Sequence, residues 1–194
     1  YTYTNNIFDG GVTGQFEYPR NTDDVNISNN SILNGSTSDR LLLYADNEVD
    51  SPVYFSNNLL SGNSSPYYIE IGSVWGWSNT NMVYTQNNMV YNNGFYIKAP
   101  TNDHSVENNY WGTTVESEIQ TLVYDWNDDP SLGFFDYDPY LTAPNISAPV
   151  SPPKNTVKQS ANGSVLVSWS SNPESDVAGY KVHYGAYSGY SFAS

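Results

Sequence analysis

Twenty carboxylates stand against six lysines and arginines, so acid–base chemistry on this chain depends on which base meets which acid. Between residues 1 and 141 the bases are Arg20, Arg40 and Lys98. Lys98 and Glu70, with Glu17 further along, occupy equivalent places in a strand pattern. They could exchange a proton with a ligand, or could be a solvated sheet face. Asp23-Asp24, Asp46, Asp50 and Asp128-Asp129 are candidate carboxylate pairs for glycoside hydrolysis, although nothing in the sequence sets their separation. Asp125, Asn127 and Asp129 place oxygen atoms at alternate positions, as hard cations such as calcium prefer. The Gly and distal Glu of a calcium hand are missing, and the same carboxylates can cap turns. Trp75 and Trp77 fall on one side of an extended segment, and Tyr44, Tyr68 and Tyr96 flank the Glu70–Lys98 positions. Such aromatics stack on sugar rings or anchor protein interfaces, or fill a cleft under a loop. His104 and His183 are too distant in sequence to read as a metal pair. There is no Gly-rich phosphate loop and no nucleophile triad.

Composition bounds the setting for these groups. The 194 residues carry a net charge of −14. Nucleic acid needs a basic face, so it is excluded as a partner, and anionic membrane surfaces are disfavoured. No apolar run is long enough for a helical membrane span. Aromatics make up 15% and charged residues only 13%, which argues for a folded protein. Abundant Tyr, Thr, Asn, Ser and Gly suits strands joined by many turns. Cysteine is absent, so no disulfide supports the fold.

A repeat supplies the scaffold. Tyr1-Thr-Tyr-Thr-Asn-Asn-Ile7, Val25-Asn-Ile-Ser-Asn-Asn-Ser31, Val53-Tyr-Phe-Ser-Asn-Asn-Leu59, Val83-Tyr-Thr-Gln-Asn-Asn-Met89 and His104-Ser-Val-Glu-Asn-Asn-Tyr110 align on an Asn-Asn pair. Residues before each pair alternate as in a strand with one buried face; Val25 and Ile27 share a side, as do Val53 and Phe55. Asn tolerates the left-handed backbone region that a sharp bend needs. On stacked coils, the first Asn of each pair (Asn5, Asn29, Asn57, Asn87 and Asn108) would form a hydrogen-bonded ladder. A Gly follows each pair, at Gly10, Gly35, Gly62, Gly94 and Gly112. A second strand family is Phe16-Glu-Tyr18, Leu41-Leu-Leu43, Ile69-Glu-Ile71 and Ile97-Lys-Ala99. It points Glu17, Leu42, Glu70 and Lys98 outward on one face. Apolar residues at 115, 119, 122 and 123 predict a helix after Thr114.

The run Asn108-Asn-Tyr-Trp-Gly-Thr-Thr114, the short helix, Tyr124-Asp-Trp-Asn-Asp-Asp-Pro130 and Phe134-Phe-Asp-Tyr-Asp-Pro-Tyr-Leu141 resemble the C-terminal end of pectate-lyase-like right-handed parallel β-helix proteins. The resemblance covers residues 1–141 and implies an all-β solenoid with a short capping helix. That family includes polysaccharide lyases and hydrolases, and secreted proteins without shown activity. In the lyases a carboxylate-held cation and a basic proton acceptor lie on an outer sheet face, the role the resemblance offers to Glu70 and Lys98. Residues 142–156, with Pro144, Pro149, Pro152 and Pro153, read as a linker. Ser164-Val-Leu-Val-Ser-Trp169 and the stretch Asn172 to Tyr184 are similar to the first half of a fibronectin type III domain, placed at 157–194. Trp169 would be its core Trp.

These readings favour an extracellular or cell-surface scaffold that binds a polysaccharide or cell-surface glycan, or mediates adhesion, without catalysis in this stretch. The binding residues would be Trp75, Trp77, Tyr44, Tyr68, Tyr96 and Glu17. A polysaccharide lyase or glycoside hydrolase is the alternative, with calcium as the cofactor it would use. A self-assembling subunit of an extracellular fibre is the third.

Overall fold

The computed structural model describes residues 2–10, 14–16, 24–36, 40–44, 52–72 and 82–184. The chain winds into a parallel β-solenoid. Its first coil holds β1 (Thr2–Thr4), β2 (Ile7–Asp9) and β3 (Gly14–Phe16); the second holds β4 (Val25–Ser28), β5 (Ser31–Leu33) and β6 (Arg40–Tyr44). The third holds β7 (Val53–Ser56), β8 (Leu59–Ser61) and β9 (Tyr68–Gly72); the fourth holds β10 (Met82–Thr85), β11 (Asn88–Val90) and β12 (Tyr96–Lys98). The end is built from β13 (His104–Ser105), α1 (Glu116–Ile119), a 3-10 turn at Gln120–Leu122, β14 (Val123–Tyr124) and β15 (Phe135–Asp136). An antiparallel hairpin follows, β16 (Lys154–Ala161) and β17 (Ser164–Ser170).

Equivalent strands of successive coils pair in parallel and form three sheets, ordered β1-β4-β7-β10, β11-β8-β5-β2 and β14-β12-β9-β6-β3. Inward columns fill the tube. Val25, Val53 and Met82 make one; Ile27, Phe55 and Tyr84 make the next, all buried. The rings of Phe55 and Tyr84 stack 5.0 Å apart. Ile32, Leu60, Met89 and Trp111 line the second sheet, and Leu41, Ile69, Ile97 and Val123 the third. Each such side chain removed from water contributes roughly 2 kcal/mol.

The Asn-Asn bends divide their labour. The first residue of each adopts positive φ: Asn5 (59°), Asn29 (57°), Asn57 (54°), Gln86 (60°) and Asn108 (58°). The second residue makes the ladder, running Asn6, Asn30, Asn58, Asn87, Asn109. In each step a backbone N–H and an Nδ2–H donate to the next coil's Oδ1, as from Asn30 to Asn58 (2.9 and 3.1 Å) and from Asn58 to Asn87 (2.9 and 3.0 Å). The other Nδ2–H returns to a carbonyl of the preceding coil, as from Asn58 to Ile27 (2.9 Å). Asn30, Asn58, Asn87 and Asn109 are fully buried, and this pattern satisfies their amides.

The expected ladder at Asn5, Asn29, Asn57, Asn87 and Asn108 is therefore corrected. Four of those residues hold the bend, and Asn87 belongs to the neighbouring column. The fourth coil is offset by one residue: Met82, not Val83, pairs with Val53. Gln86-Asn87-Asn88 offers two ways of matching the repeat. Burial of Met82 and Tyr84 selects one, because a slip by one residue would turn them outward and Val83 inward.

The second corner has its own left-handed residue, at Gly10, Asn34, Gly62 and Tyr91. Gly35 follows that corner, beneath the Tyr67 ring, where a Cβ would come within 2.5 Å. In the third sheet Gln15, rather than Glu17, shares the column of Leu42, Glu70 and Lys98. The predicted helix is shorter than its apolar spacing suggests. Only residues 116–119 are α-helical, because Val123 and Tyr124 extend and pair with β12. The last coil is closed by β15 on β13, by Asn108 N–H donating to Pro139 (2.6 Å) and by Leu141 N–H donating to Asn109 (2.9 Å).

The Pro-rich stretch 142–156 does not hang free. Asn145 exchanges two hydrogen bonds with the Asn88 side chain, and its own amide donates to Asn57 Oδ1 (2.8 Å) and the Gln86 carbonyl (2.7 Å). Lys154 donates to the Tyr91 carbonyl (3.2 Å) and sits over its ring. Its tail end is already β16. Leu59 and Val90 lie outside the main core yet are buried, as is Ala148 of the strap. The hairpin turns at Asn162-Gly163, both left-handed, which matches strand twist in a two-residue turn.

Candidate functional site

The third sheet presents the face on which Glu70 and Lys98 were expected. They are in register on β9 and β12. Ile69 and Ile97 beside them point into the tube and are fully buried, which turns Glu70 and Lys98 outward. Lys98 Nζ lies 3.3 Å from Glu70 Oε1, with the side chains 28% and 15% exposed. A partly solvated pair of this kind contributes at most about 1 kcal/mol.

Tyr68 and Tyr96 are also in register, and their rings stack 5.1 Å apart with planes 9° from parallel. Tyr124 of β14 extends the column, its ring 5.4 Å from that of Tyr96. Tyr124 was not among the expected binding residues. Its signal was the Val123-Tyr124 alternation, hidden by the helical spacing just before it. Burial, and then the neighbouring Tyr68, Tyr124 and Glu70, push the Tyr96 phenol above its ordinary range. The three rings are half-buried, with a charge pair alongside. Because the rings cover one another, the column offers mainly edges and hydroxyls, about one ring per coil.

The expected cation ligands are bound to the protein itself. Asp125 is buried; its Oδ1 accepts from the backbone N–H (2.9 Å) and side chain (3.1 Å) of Asn127, and its Oδ2 from Phe135 N–H (3.1 Å). Asp129 Oδ1 accepts from Ser131 N–H (2.9 Å). The bonds from Ser131, with a smaller effect of Lys98, hold the Asp129 carboxyl below the usual range. These contacts close the turn that leads from β14 to β15. Among the described residues, no group of three or more His, Cys, Asp or Glu side chains is gathered to hold a metal.

Trp75, Trp77 and Glu17 lie outside the described residues, as does the Tyr44 side chain; the Tyr44 backbone pairs with Gly72. His104 is buried against Phe135 in an edge-to-face contact, and its Nε2 has no partner. Phe135 belongs to β15, so His104 sits against the strand that closes the last coil. No helix among the described residues is long and apolar enough to cross a membrane. No protein family, curated protein or solved structure matches this chain.

Proposed function

We propose that this chain is a non-catalytic scaffold, secreted or displayed at a cell surface, that binds a polysaccharide along the third sheet of its solenoid. The observation that carries this reading is the column Tyr68–Tyr96–Tyr124, spaced at 5.1 and 5.4 Å beside the Glu70–Lys98 pair. A glycan lying along the solenoid axis would meet one phenol per coil. Hydroxyl-to-hydroxyl bonds and contact with ring edges would hold it, and Glu70 and Lys98 would add an acceptor and a donor. The lyase alternative needs Lys98 as a proton acceptor, and its ammonium is already engaged by Glu70. The hairpin module fits a fibronectin type III-like spacer: Trp169 meets Tyr180 edge-on, with ring centres 5.1 Å apart.

The test is a polysaccharide panel read by affinity electrophoresis with wild type, Tyr96→Ala and Tyr96→Phe. Retardation by at least one glycan should vanish in Tyr96→Ala and weaken in Tyr96→Phe. Equal retardation of all three proteins would remove the tyrosine column from the binding face.

A further inference from the structure

A second asparagine ladder runs up the other corner of the solenoid, and it stops short. Gly35 N–H donates to Asn63 Oδ1 (2.8 Å), and Asn63 donates its N–H (3.0 Å) and Nδ2–H (3.2 Å) to Asn92 Oδ1. The next coil should supply an oxygen to Asn92 in the same way. It does not, because a threonine stands at that rung. The left-handed corner comes four residues after the ladder residue in four coils, from Asn6 to Gly10, Asn30 to Asn34, Asn58 to Gly62 and Asn87 to Tyr91. It comes three residues after in the last, from Asn109 to Gly112. Thr113 therefore falls at the rung, and its Oγ1 is turned to Glu118 Oε2 (2.5 Å).

Asn92 is left with donors to spare. One Nδ2–H goes to the Leu60 carbonyl (3.1 Å), while its backbone N–H and the other Nδ2–H have no partner among the described residues. The first ladder ends differently: Asn109 folds its amide back onto the Val106 carbonyl at 2.7 Å. At the open end of the second ladder lies a cavity of about 200 Å³, lined by Met89, Asn92, Trp111, Thr113, Glu118 and Leu122. Trp111 is 1% exposed, and its Nε1–H is a third donor without a partner.

We propose that this cavity binds the acetamido group of an N-acetylated sugar. Its carbonyl oxygen takes the place of the missing Asn Oδ1 and accepts from Asn92. Its N–H donates to the Glu118 carboxylate, and its methyl group meets Leu122. An anion would face Glu118 and the chain's net charge of −14, so the oxygen must be a neutral acceptor. The volume exceeds that of one water, which occupies about 30 Å³. This site is separate from the tyrosine column and stands or falls independently of it.

The experiment is calorimetric titration of the whole chain with N-acetylglucosamine, with glucose as control. Thr113→Asn supplies the missing rung, and Glu118→Gln keeps a side chain of the same size. Wild type should show saturable binding of N-acetylglucosamine and none of glucose. Binding should fall at least about tenfold in Thr113→Asn, whose melting temperature should rise, and should weaken in Glu118→Gln. Absence of saturable binding to wild type, even where Thr113→Asn is more stable, makes the cavity a hydration site and overturns the proposal. So does equal binding by wild type and either folded variant, or equal binding of glucose. If Thr113→Asn does not fold, Glu118→Gln decides.

Discussion

Asn88 and Asn145, 57 residues apart, pair as though the side chain of one were the backbone of the other. Asn145 N–H donates to Asn88 Oδ1 (2.8 Å), and Asn88 Nδ2–H donates to the Asn145 carbonyl (2.9 Å). The one-residue offset of the fourth coil makes this contact. It moves Asn88 out of the bend and onto β11, in register with Leu59. There it faces outward and receives the strap that leads to the hairpin.

Asn88→Ala should loosen that strap without unfolding the solenoid. It leaves the N–H and carbonyl of Asn145 unpaired at a partly buried site, a cost of about 1–3 kcal/mol. Limited proteolysis should then cut within residues 142–153 sooner than in wild type, while the solenoid fragment persists. An unchanged cleavage pattern would show that the pair does not anchor the strap.

The two residues of one bend should respond oppositely to glycine. Asn29 needs only a left-handed backbone, which Gly adopts freely, so Asn29→Gly should change stability by less than about 1 kcal/mol. Asn30→Gly removes a buried amide bonded to the coils on both sides and should cost roughly 3 kcal/mol or more. Urea denaturation of the two variants makes the comparison, and similar midpoints would refute the division of labour.

His104 should make the capped end sensitive to mild acid. Burial lowers its pKa, opposed by a smaller hydrogen-bond effect of the Met82 backbone, and Phe135 covers its ring. The folded state therefore binds this proton less readily than the unfolded state, where the pKa is about 6.5. Its contribution is complete above that pH and is lost as pH falls below it. Melting temperature should drop between about pH 7 and pH 5 in wild type, and drop less in His104→Phe. Parallel curves would exonerate His104.

Asp125 should matter to stability whether or not calcium is present. Its carboxylate holds Asn127 and the Phe135 N–H, so Asp125→Ala should cost about 2–4 kcal/mol. Melting curves taken with calcium and with a chelator should show the same deficit. A deficit that appears only with calcium would restore Asp125, Asn127 and Asp129 as cation ligands.

What the chain's own order of residues determined is local. Val25 and Ile27 alternate with polar neighbours, and a strand with one buried face follows. Asn5, Asn29, Asn57 and Asn108 tolerate positive φ, and a bend follows. The inward set of Leu41, Ile69 and Ile97 and the outward pair of Glu70 and Lys98 were legible for the same reason, since alternation needs only near neighbours.

The tertiary structure decided whatever depends on residues a full coil apart. A ladder bond joins Asn30 to Asn58, 28 positions on, so neither side of an Asn-Asn pair can reveal alone which residue carries it. The fourth coil's register was settled by Tyr84 stacking on Phe55, which outweighed the match of Asn87-Asn88 to the other pairs. Val123 and Tyr124 left the helical pattern because an open strand edge at β12 could bond them. The strap was held by an amide on β11 that only stacking brings within reach. Alternation and bend preference act within a few residues; register, ladders and docking are paid for by burial and hydrogen bonds across the stack.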